Sequence, residues 1–314
     1  MMPFSFISKL PKNSQWILEF TQGPNSPHLF RVKKRILHQK TPFQTVDIVE
    51  LFQYGKTLFL DERLQVSEVD EFLYHESIVH PALITHPNPQ NALIVGGADG
   101  GAAHQVLKHQ SVKKLSMIEI DAKLTKLCQK FLPEINRGVF KNSKLKVFNT
   151  DGRQFLNETR EKFDVIISDP TAPLITPPSY LLFTKEFFKI VYDKLNKDGI
   201  LSLQADSADC LNSEIFTAIY KTAASVFPIV RGFRVFIPSY DNNWGFIIAS
   251  KKYDPTSLKP SEIRKRMKVR NLKGLKFYDD KIHHSLFILP RYFNEAIRRQ
   301  KKIIRDNHPI VSLE

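Results

Sequence analysis

Up to about Ser67, hydrophobic and polar positions alternate with a period of two. LFRVKKRIL, FQTVDIVELF, KTLFLD and LQVSE are short, rich in β-branched and aromatic residues, and separated by turn residues such as Gly55 and the Asp61-Glu62 pair. The pattern predicts a small antiparallel module, of the kind that serves as a lid, an edge or an oligomerisation surface. Helical spacing begins near Asp70, with Phe72, Ile78, Val79 and Leu83 on one face, and Pro87 and Pro89 close that segment. From Ala92 the pattern changes to strand-helix alternation, which predicts a parallel sheet. The strands are LIVG, LSMIEI, LKVFNT, FDVIISD and ILSLQA, and the helices between them begin near Ala102, Ala122, Arg153, Lys185 and Ser213. VRGFRVFIPS and WGFIIAS then form an antiparallel aromatic pair joined at Tyr240-Asp241-Asn242-Asn243, which closes an otherwise parallel sheet. KYDPTSLKP leads into a basic terminal helix pair. The fold class is α/β, divided into an amino-terminal β-strand domain (1–69) and an α/β domain (70–314).

Within the second domain, NALIVGGADGG (Asn91 to Gly101) runs an apolar strand into four glycines within six residues. A strand, a glycine turn and a helix in succession are how open α/β sheets build a nucleotide site, because glycine lets the backbone pass close to a ligand. After the next strand comes Glu119, placed to reach a ribose hydroxyl pair. A tight turn with merely solvated acids would explain the glycines alone; the acid after the following strand favours the nucleotide site.

Composition narrows the classes. At 314 residues the chain can bury a full core, and its 42% hydrophobic content is ordinary for a globular protein. The opening MMPFSFISKLPKN lacks the layout of a signal peptide, and no apolar segment is long enough to span a bilayer. Cys128 and Cys210 have no motif spacing, which fits reduced thiols and a cytoplasmic location. A net charge of +14, with basic runs KRMKVR and RRQKK, would suit a nucleic-acid binder. Those runs lie near the end of the chain, away from the glycine turn, and no nucleic-acid signature accompanies them, so nucleic acid is disfavoured as a partner.

Ligands of such sheets collect beyond the carboxyl ends of the strands. There stand Asp99, Glu119, Asp151, Asp169 and Asp206, one acid for each of five strands. Any one could cap a helix, Asp151 above all. Five together on a basic body point to a cationic ligand, because only a local cluster attracts one against the overall field. A dinucleotide site needs a glycine where Ala98 stands, and Asp99 would repel a pyrophosphate. The same carboxylate would repel the carboxylate of S-adenosylmethionine and attract an ammonium. The expected ligand is a nucleoside with a cationic tail.

GGADGGAAHQVLKH, IEIDAKLTKLCQKFLP, the Asp151-Gly152 pair and FDVIISD resemble the motifs of the spermidine synthases, the polyamine aminopropyltransferases. TPFQTVDIVELFQYGKTLFLD, LQVSEVDEFLYHE and FYDDKIHHSLFILPRYFNEAI resemble the flanking segments, so the similarity runs from about residue 28 to 298 in family order. The resemblance implies a seven-stranded, methyltransferase-like (Rossmann-type) sheet behind a β domain, assembled as a homodimer or homotetramer. The co-substrate would be decarboxylated S-adenosylmethionine, the coproduct methylthioadenosine, with no further cofactor and no metal. By the same resemblance Gln44 and Glu119 hold the nucleoside, Asp151 and Gly152 read the adenine, and Asp99 holds the amine of the aminopropyl tail. His75, Tyr74, Tyr240, Gln65 and Gln204 line the polyamine channel, Asp206 keeps a negative charge where many members carry Glu, and Asp169 is the proton acceptor.

Two departures concern the acceptor. The family's D-S-S-D-P or D-S-T-D-P is here Asp169-Pro170-Thr171-Ala172-Pro173, without the second carboxylate, and the loop Leu174 to Pro177 lacks the usual glycine-proline continuation. Putrescine is the default acceptor. The alternatives are agmatine, spermidine or a longer amine with the same chemistry, an S-adenosylmethionine-dependent methyltransferase, against which Asp99 argues, or a nucleic-acid-binding protein without catalysis.

Overall fold

The computed structural model describes residues 15–20, 26–174 and 179–312; the departures at Ile175 to Pro177 lie outside them. The amino-terminal sheet is antiparallel, in the order β1 (Gln15–Glu19), β2 (His28–Lys40), β3 (Thr45–Leu51), β4 (Gly55–Leu60) and β5 (Arg63–Ser67). β1 adds a strand that the alternation did not predict, paired along β2 from Glu19 opposite His28 to Gln15 opposite Val32. Asp61 and Glu62 link β4 to β5 with both residues at positive φ (45° and 65°), the geometry that matches a two-residue hairpin to strand twist. Around β3 and β4 both faces of this sheet are covered. Val49, Leu51 and Phe59 join one core, while Val46, Ile48, Leu58 and Leu60 pack against Leu124, Cys128 and Leu132 of the α/β domain.

The larger sheet has seven strands in the order β11 (Ile229–Ile237), β12 (Asn242–Ser250), β10 (Leu195–Ser207), β9 (Phe163–Asp169), β6 (Asn91–Gly96), β7 (Lys114–Ile118) and β8 (Leu145–Phe148). β10, β9, β6, β7 and β8 run parallel, and β12 is antiparallel to both its neighbours. β6 lies between β7 and β9, so the strand order reverses there, which is where an open α/β sheet leaves a crevice for ligands. The strands are apolar throughout because both faces are buried: Ala92 and Ile94 enter one core, Leu93 and Val95 the other.

The sheet helices α2 (Gly101–Leu107), α3 (Ala122–Phe131), α5 (Gly152–Glu158), α6 (Lys185–Lys194) and α7 (Glu214–Ala224) start within one residue of the predicted positions; the short α4 (Pro133–Asn136) was not predicted. α1 (Glu71–Thr85) differs from its expected amphipathic form. Phe72 is only half-buried, whereas every residue from His75 to Thr85 is buried. The helix lies inside the domain between the sheet and α8 (Pro260–Val269). Its carboxyl end is closed by the basic run KRMKVR: Arg266 donates to the carbonyls of Ile84 and Thr85 at 2.7 Å, and buried Arg270 to those of Leu83, His86 and Pro87. Cations at orphan carbonyls satisfy hydrogen bonds and the helix dipole together. In place of a terminal helix pair there are three helices: α8, α9 (Asp280–Leu286) and α10 (Arg291–Arg299). Among the described residues, no helix is long and apolar enough to cross a membrane.

Candidate active site

The glycine turn after β6 is shaped first by the protein itself. A Cβ on Gly96 (φ 88°) would stand 2.3 Å from the Asp169 carbonyl oxygen, and one on Gly101 would stand 2.1 Å from Cε1 of His75. The absence of these side chains lets the ends of β6 and β9 meet and lets α1 press its histidine against the start of α2. Gly152 plays the same part against Val95, where a Cβ would approach to 2.5 Å.

Above this turn opens a cavity of about 250 Å³. All five rim acids line it, with Gln44, Gly152, Tyr74, Gln65, Gln204 and Tyr240. His75 does not. It is 1% exposed and sits behind the wall, its Nδ1 2.7 Å from Glu71 and its Nε2 3.4 Å from Asp99. Burial pushes the imidazole towards neutrality, but the adjacent carboxylates outweigh it and hold His75 well above its ordinary value. The spacing of Glu71 and His75, four apart on one helix, was a readable signal for this pair.

On one side the acids are held by their own turns. Asp151 accepts from the Gln154 N–H at 2.7 Å and caps α5, as its position before that helix predicted. Glu119 accepts from the Asp121 N–H at 2.9 Å, and burial pushes its carboxyl up to about 7. Asp121, which the sequence reading passed over, caps α3 and accepts the Gln44 amide at 3.2 Å, so it fixes the amino-terminal sheet to the Glu119 side of the cavity.

At the centre two carboxyl groups are driven apart in acidity. Asp99 accepts the Gly101 N–H at 2.6 Å; burial opposes its charge, yet the His75 imidazolium holds it below the usual carboxylate range. Asp169 is pushed up to about 7, by burial first and then by the charge on Asp99; it takes a 2.5 Å hydrogen bond from the Tyr74 hydroxyl. Environments that separate two acids in this way assign one to remain charged and the other to exchange a proton near neutrality.

On the far side the walls come from distant parts of the chain. The Tyr240 hydroxyl donates to the Gln65 carbonyl at 2.5 Å, and its ring meets Tyr74 and Trp244 edge-on. Gln204 binds the loop after β9: its amide donates to the carbonyls of Pro170 and Thr171 at 3.0 and 3.1 Å, and its oxygen accepts the Asp206 N–H at 2.9 Å. Asp206 has a positive φ of 66° and accepts the Ser207 N–H at 2.5 Å. Its carboxylate also interacts with the Ser312 side chain, and the indole N–H of Trp244 on the same wall is buried without a hydrogen-bond partner among the described residues. Arg63, Arg153, Trp244 and Ser312 are lining residues that the sequence reading did not single out. Arg153 stands beside the Asp151-Gly152 pair, whereas nothing local marks Ser312.

Comparison with known proteins identifies the family. Residues 71–260 match the family model described as the spermine/spermidine synthase domain, and residues 15–68 the one described as the spermidine synthase tetramerisation domain. A polyamine aminopropyltransferase of Sulfurisphaera tokodaii is 38% identical over 295 residues, covering 94% of this chain and 97% of the relative. One of Sulfolobus acidocaldarius is 37% identical over 297 residues, with 95% and 98% covered. The crystal structure of a spermidine synthase in complex with the transition-state analogue AdoDATO superposes with a TM-score of 0.85 at 31% identity, covering 92% of this chain and 97% of that one. The chain belongs to the spermidine synthase family, the polyamine aminopropyltransferases.

Proposed function

We propose that the enzyme moves the aminopropyl group of decarboxylated S-adenosylmethionine to putrescine, giving spermidine and methylthioadenosine. The observation that carries this reading is the pair Asp99 and Asp169, one carboxylate kept charged by His75 and one poised near pH 7 beneath Tyr74. Gln44, Glu119, Asp151 and Gly152 hold the nucleoside, and Asp99 pairs with the ammonium of the aminopropyl tail. The donor is a co-substrate, and no resident cofactor or metal enters the scheme.

The acceptor amine must be neutral to attack. Its lone pair forms a bond to the methylene next to the sulfonium; the carbon–sulfur bond breaks, and its electrons leave with sulfur as neutral methylthioadenosine. The proton released from the amine passes to Asp169, whose carboxylate Tyr74 holds in place. Fixing donor and amine in line removes translational freedom and supplies much of the rate. At the far end Asp206, Tyr240 and Gln65 receive the second ammonium, with Asp206 supplying the carboxyl group. His75 acts on Asp99 from behind.

The match to a tetramerisation domain over residues 15–68 supports a homo-oligomer built on the amino-terminal sheet. There Leu18 and Leu29 face each other across β1 and β2 and are 47% and 46% exposed. A cytoplasmic setting accords with the free thiols of Cys128 and Cys210.

The test is incubation with decarboxylated S-adenosylmethionine and a panel of amines, read by mass spectrometry. Spermidine and methylthioadenosine from putrescine are expected. Release of methylthioadenosine with no amine tested would overturn the reading, and methyl transfer from S-adenosylmethionine would replace it.

A further inference from the structure

Beyond α10 the described residues form no further helix, yet residues 303–312 return across the domain to the cavity. A segment without helix or strand keeps one path only where something ties it down. Here Ile304 and Ile310 are buried in the core beneath α6 and α7. The Lys185 N–H donates to the Ile304 carbonyl, and the Ile304 N–H donates to the Thr222 hydroxyl, both at 2.9 Å. Asp306 accepts both terminal nitrogens of Arg153, at 2.9 and 2.5 Å. At the end of the segment the Ser312 N–H donates to the Pro173 carbonyl at 2.8 Å.

Of the strap, Ser312 lines the cavity, and Asp306 holds Arg153, a lining residue carried by α5. The sheet order says which end Ser312 closes. The nucleoside acids Glu119 and Asp151 follow β7 and β8, on one side of β6, whereas Asp206 belongs to β10, beyond β9 on the other. Ser312 is bonded to the loop that leaves Asp169 and stands beside Asp206, on that second side. An amine whose reacting nitrogen is at Asp169 and whose chain passes Asp206 therefore runs towards the strap.

We infer that this carboxy-terminal strap is the outer wall of the acceptor subsite, and that Ser312 sets how long an amine the cavity accepts. This rests on the aminopropyltransferase reading of the site and adds a specificity-determining residue to it. A hydroxymethyl group there leaves room that a bulkier side chain would fill. The backbone bond to Pro173 holds the wall in place whatever side chain it carries.

Two variants test it. Ser312→Trp keeps the backbone N–H and fills the end of the cavity. A chain ending at His308 keeps Ile304 and Asp306 and removes Ser312. A pocket gains or loses roughly ten- to two-hundred-fold in discrimination for each methylene-sized change. Ser312→Trp should raise the KM for spermidine relative to putrescine by about tenfold or more, and the shortened chain should lower that ratio. In both, the melting shift given by methylthioadenosine should persist as evidence of an intact donor site. An unchanged spermidine-to-putrescine ratio in Ser312→Trp, with that shift intact, overturns the inference even if the shortened chain does not fold. Should no amine react with the parent enzyme, the aminopropyl reading fails on its own. The wall is then judged by the melting shifts that putrescine and spermidine add in the presence of methylthioadenosine, where the same change of ratio supports it and no change overturns it.

Discussion

The two halves of the cavity are built by opposite means. On the proposed nucleoside half each acid follows a parallel strand and opens or precedes a helix, so one stretch of a few residues makes both the turn and the lining. Asp151 is at once the cap of α5 and a lining residue, and Glu119 is held by the N–H two residues on. The proposed acceptor half is assembled from α1, β5, β10, β12 and the segment that reaches Ser312. Tyr240 binds a carbonyl 175 positions away, and Ser312 reaches Pro173. A locally built half tolerates little change without losing its turn, whereas a wall made of distant side chains can be altered one residue at a time. Acceptor choice is therefore where this enzyme can diverge while donor binding stays fixed.

The comparison breaks most sharply at Asp169, which joins the halves. Asp169→Asn should lower turnover by about a hundred- to ten-thousand-fold, because an amide takes no proton at neutral pH. Steady-state rates measured beside the methylthioadenosine melting shift decide the matter. The shift should remain, since the nucleoside half does not depend on this side chain, and near-parental turnover would show that the amine is deprotonated elsewhere.

That division also explains what could be read from the chain. The strand acids were legible because strand, glycine turn and helix are contiguous, and the resemblance assigned their roles. His75 was placed on the channel wall because a sequence shows that it belongs to α1 but not that Gly101 lets the ring slip behind the turn. Trp244, Arg63 and Ser312 left no local mark, since only tertiary packing brings them to one cavity. The buried sides of α1 were hidden for the same reason: the partners that cover and cap it lie about 180 residues onward. KRMKVR reads as a solvated basic run until Arg266 and Arg270 are seen closing that helix.

Next in size is the stability carried by this closure. Arg270 is 3% exposed and serves three carbonyls. Arg270→Ala should leave buried acceptors unpaired and cost about 2–3 kcal/mol. Urea unfolding should show the loss, while the KM values of the folded fraction stay unchanged. A loss below about 0.5 kcal/mol, the scale of an ordinary surface substitution, would mean that water replaces the guanidinium.

The pH dependence probes the junction more finely. Folded Asp169 and Glu119 both titrate at about 7, raised from 3.8 and 4.5. Their preference for the proton stabilises the free protein fully below those ordinary values, and the contribution fades as pH rises and is gone above about 7. A cationic donor favours the ionised forms, so its binding near pH 6–7 should release protons, seen as a buffer-dependent heat in calorimetry. Neutral methylthioadenosine should release fewer. The kcat/KM for the amine should fall on the acid side of about 7. Because the Asp99 charge raises Asp169, Asp99→Asn should move that limb to lower pH. The same substitution should weaken decarboxylated S-adenosylmethionine more than S-adenosylmethionine, whose carboxylate Asp99 repels. A limb that stays in place would sever the coupling between the two acids.

The smallest expected effect lies at Ala172. A diamine is charged at both ends, and each buried ammonium needs a partner or loses solvation. Asp169 serves the reacting end, Asp206 remains for the other, and Ala172 offers no charge where the family's second Asp usually stands. Ala172 lines the cavity but is only half-buried, and its carbonyl is already engaged by the Ser179 hydroxyl at 2.6 Å. A carboxylate introduced there would be partly screened by solvent, which limits its gain to about 0.2–1 kcal/mol. Ala172→Asp should therefore lower the KM for putrescine by no more than about fivefold, with less change for agmatine and spermidine, whose charge lies further along the channel. Kinetics with the three amines on both proteins give the ranking. If all three KM values move together, the new charge acts on the cavity as a whole, and acceptor choice resides in the strap and the Asp206 wall.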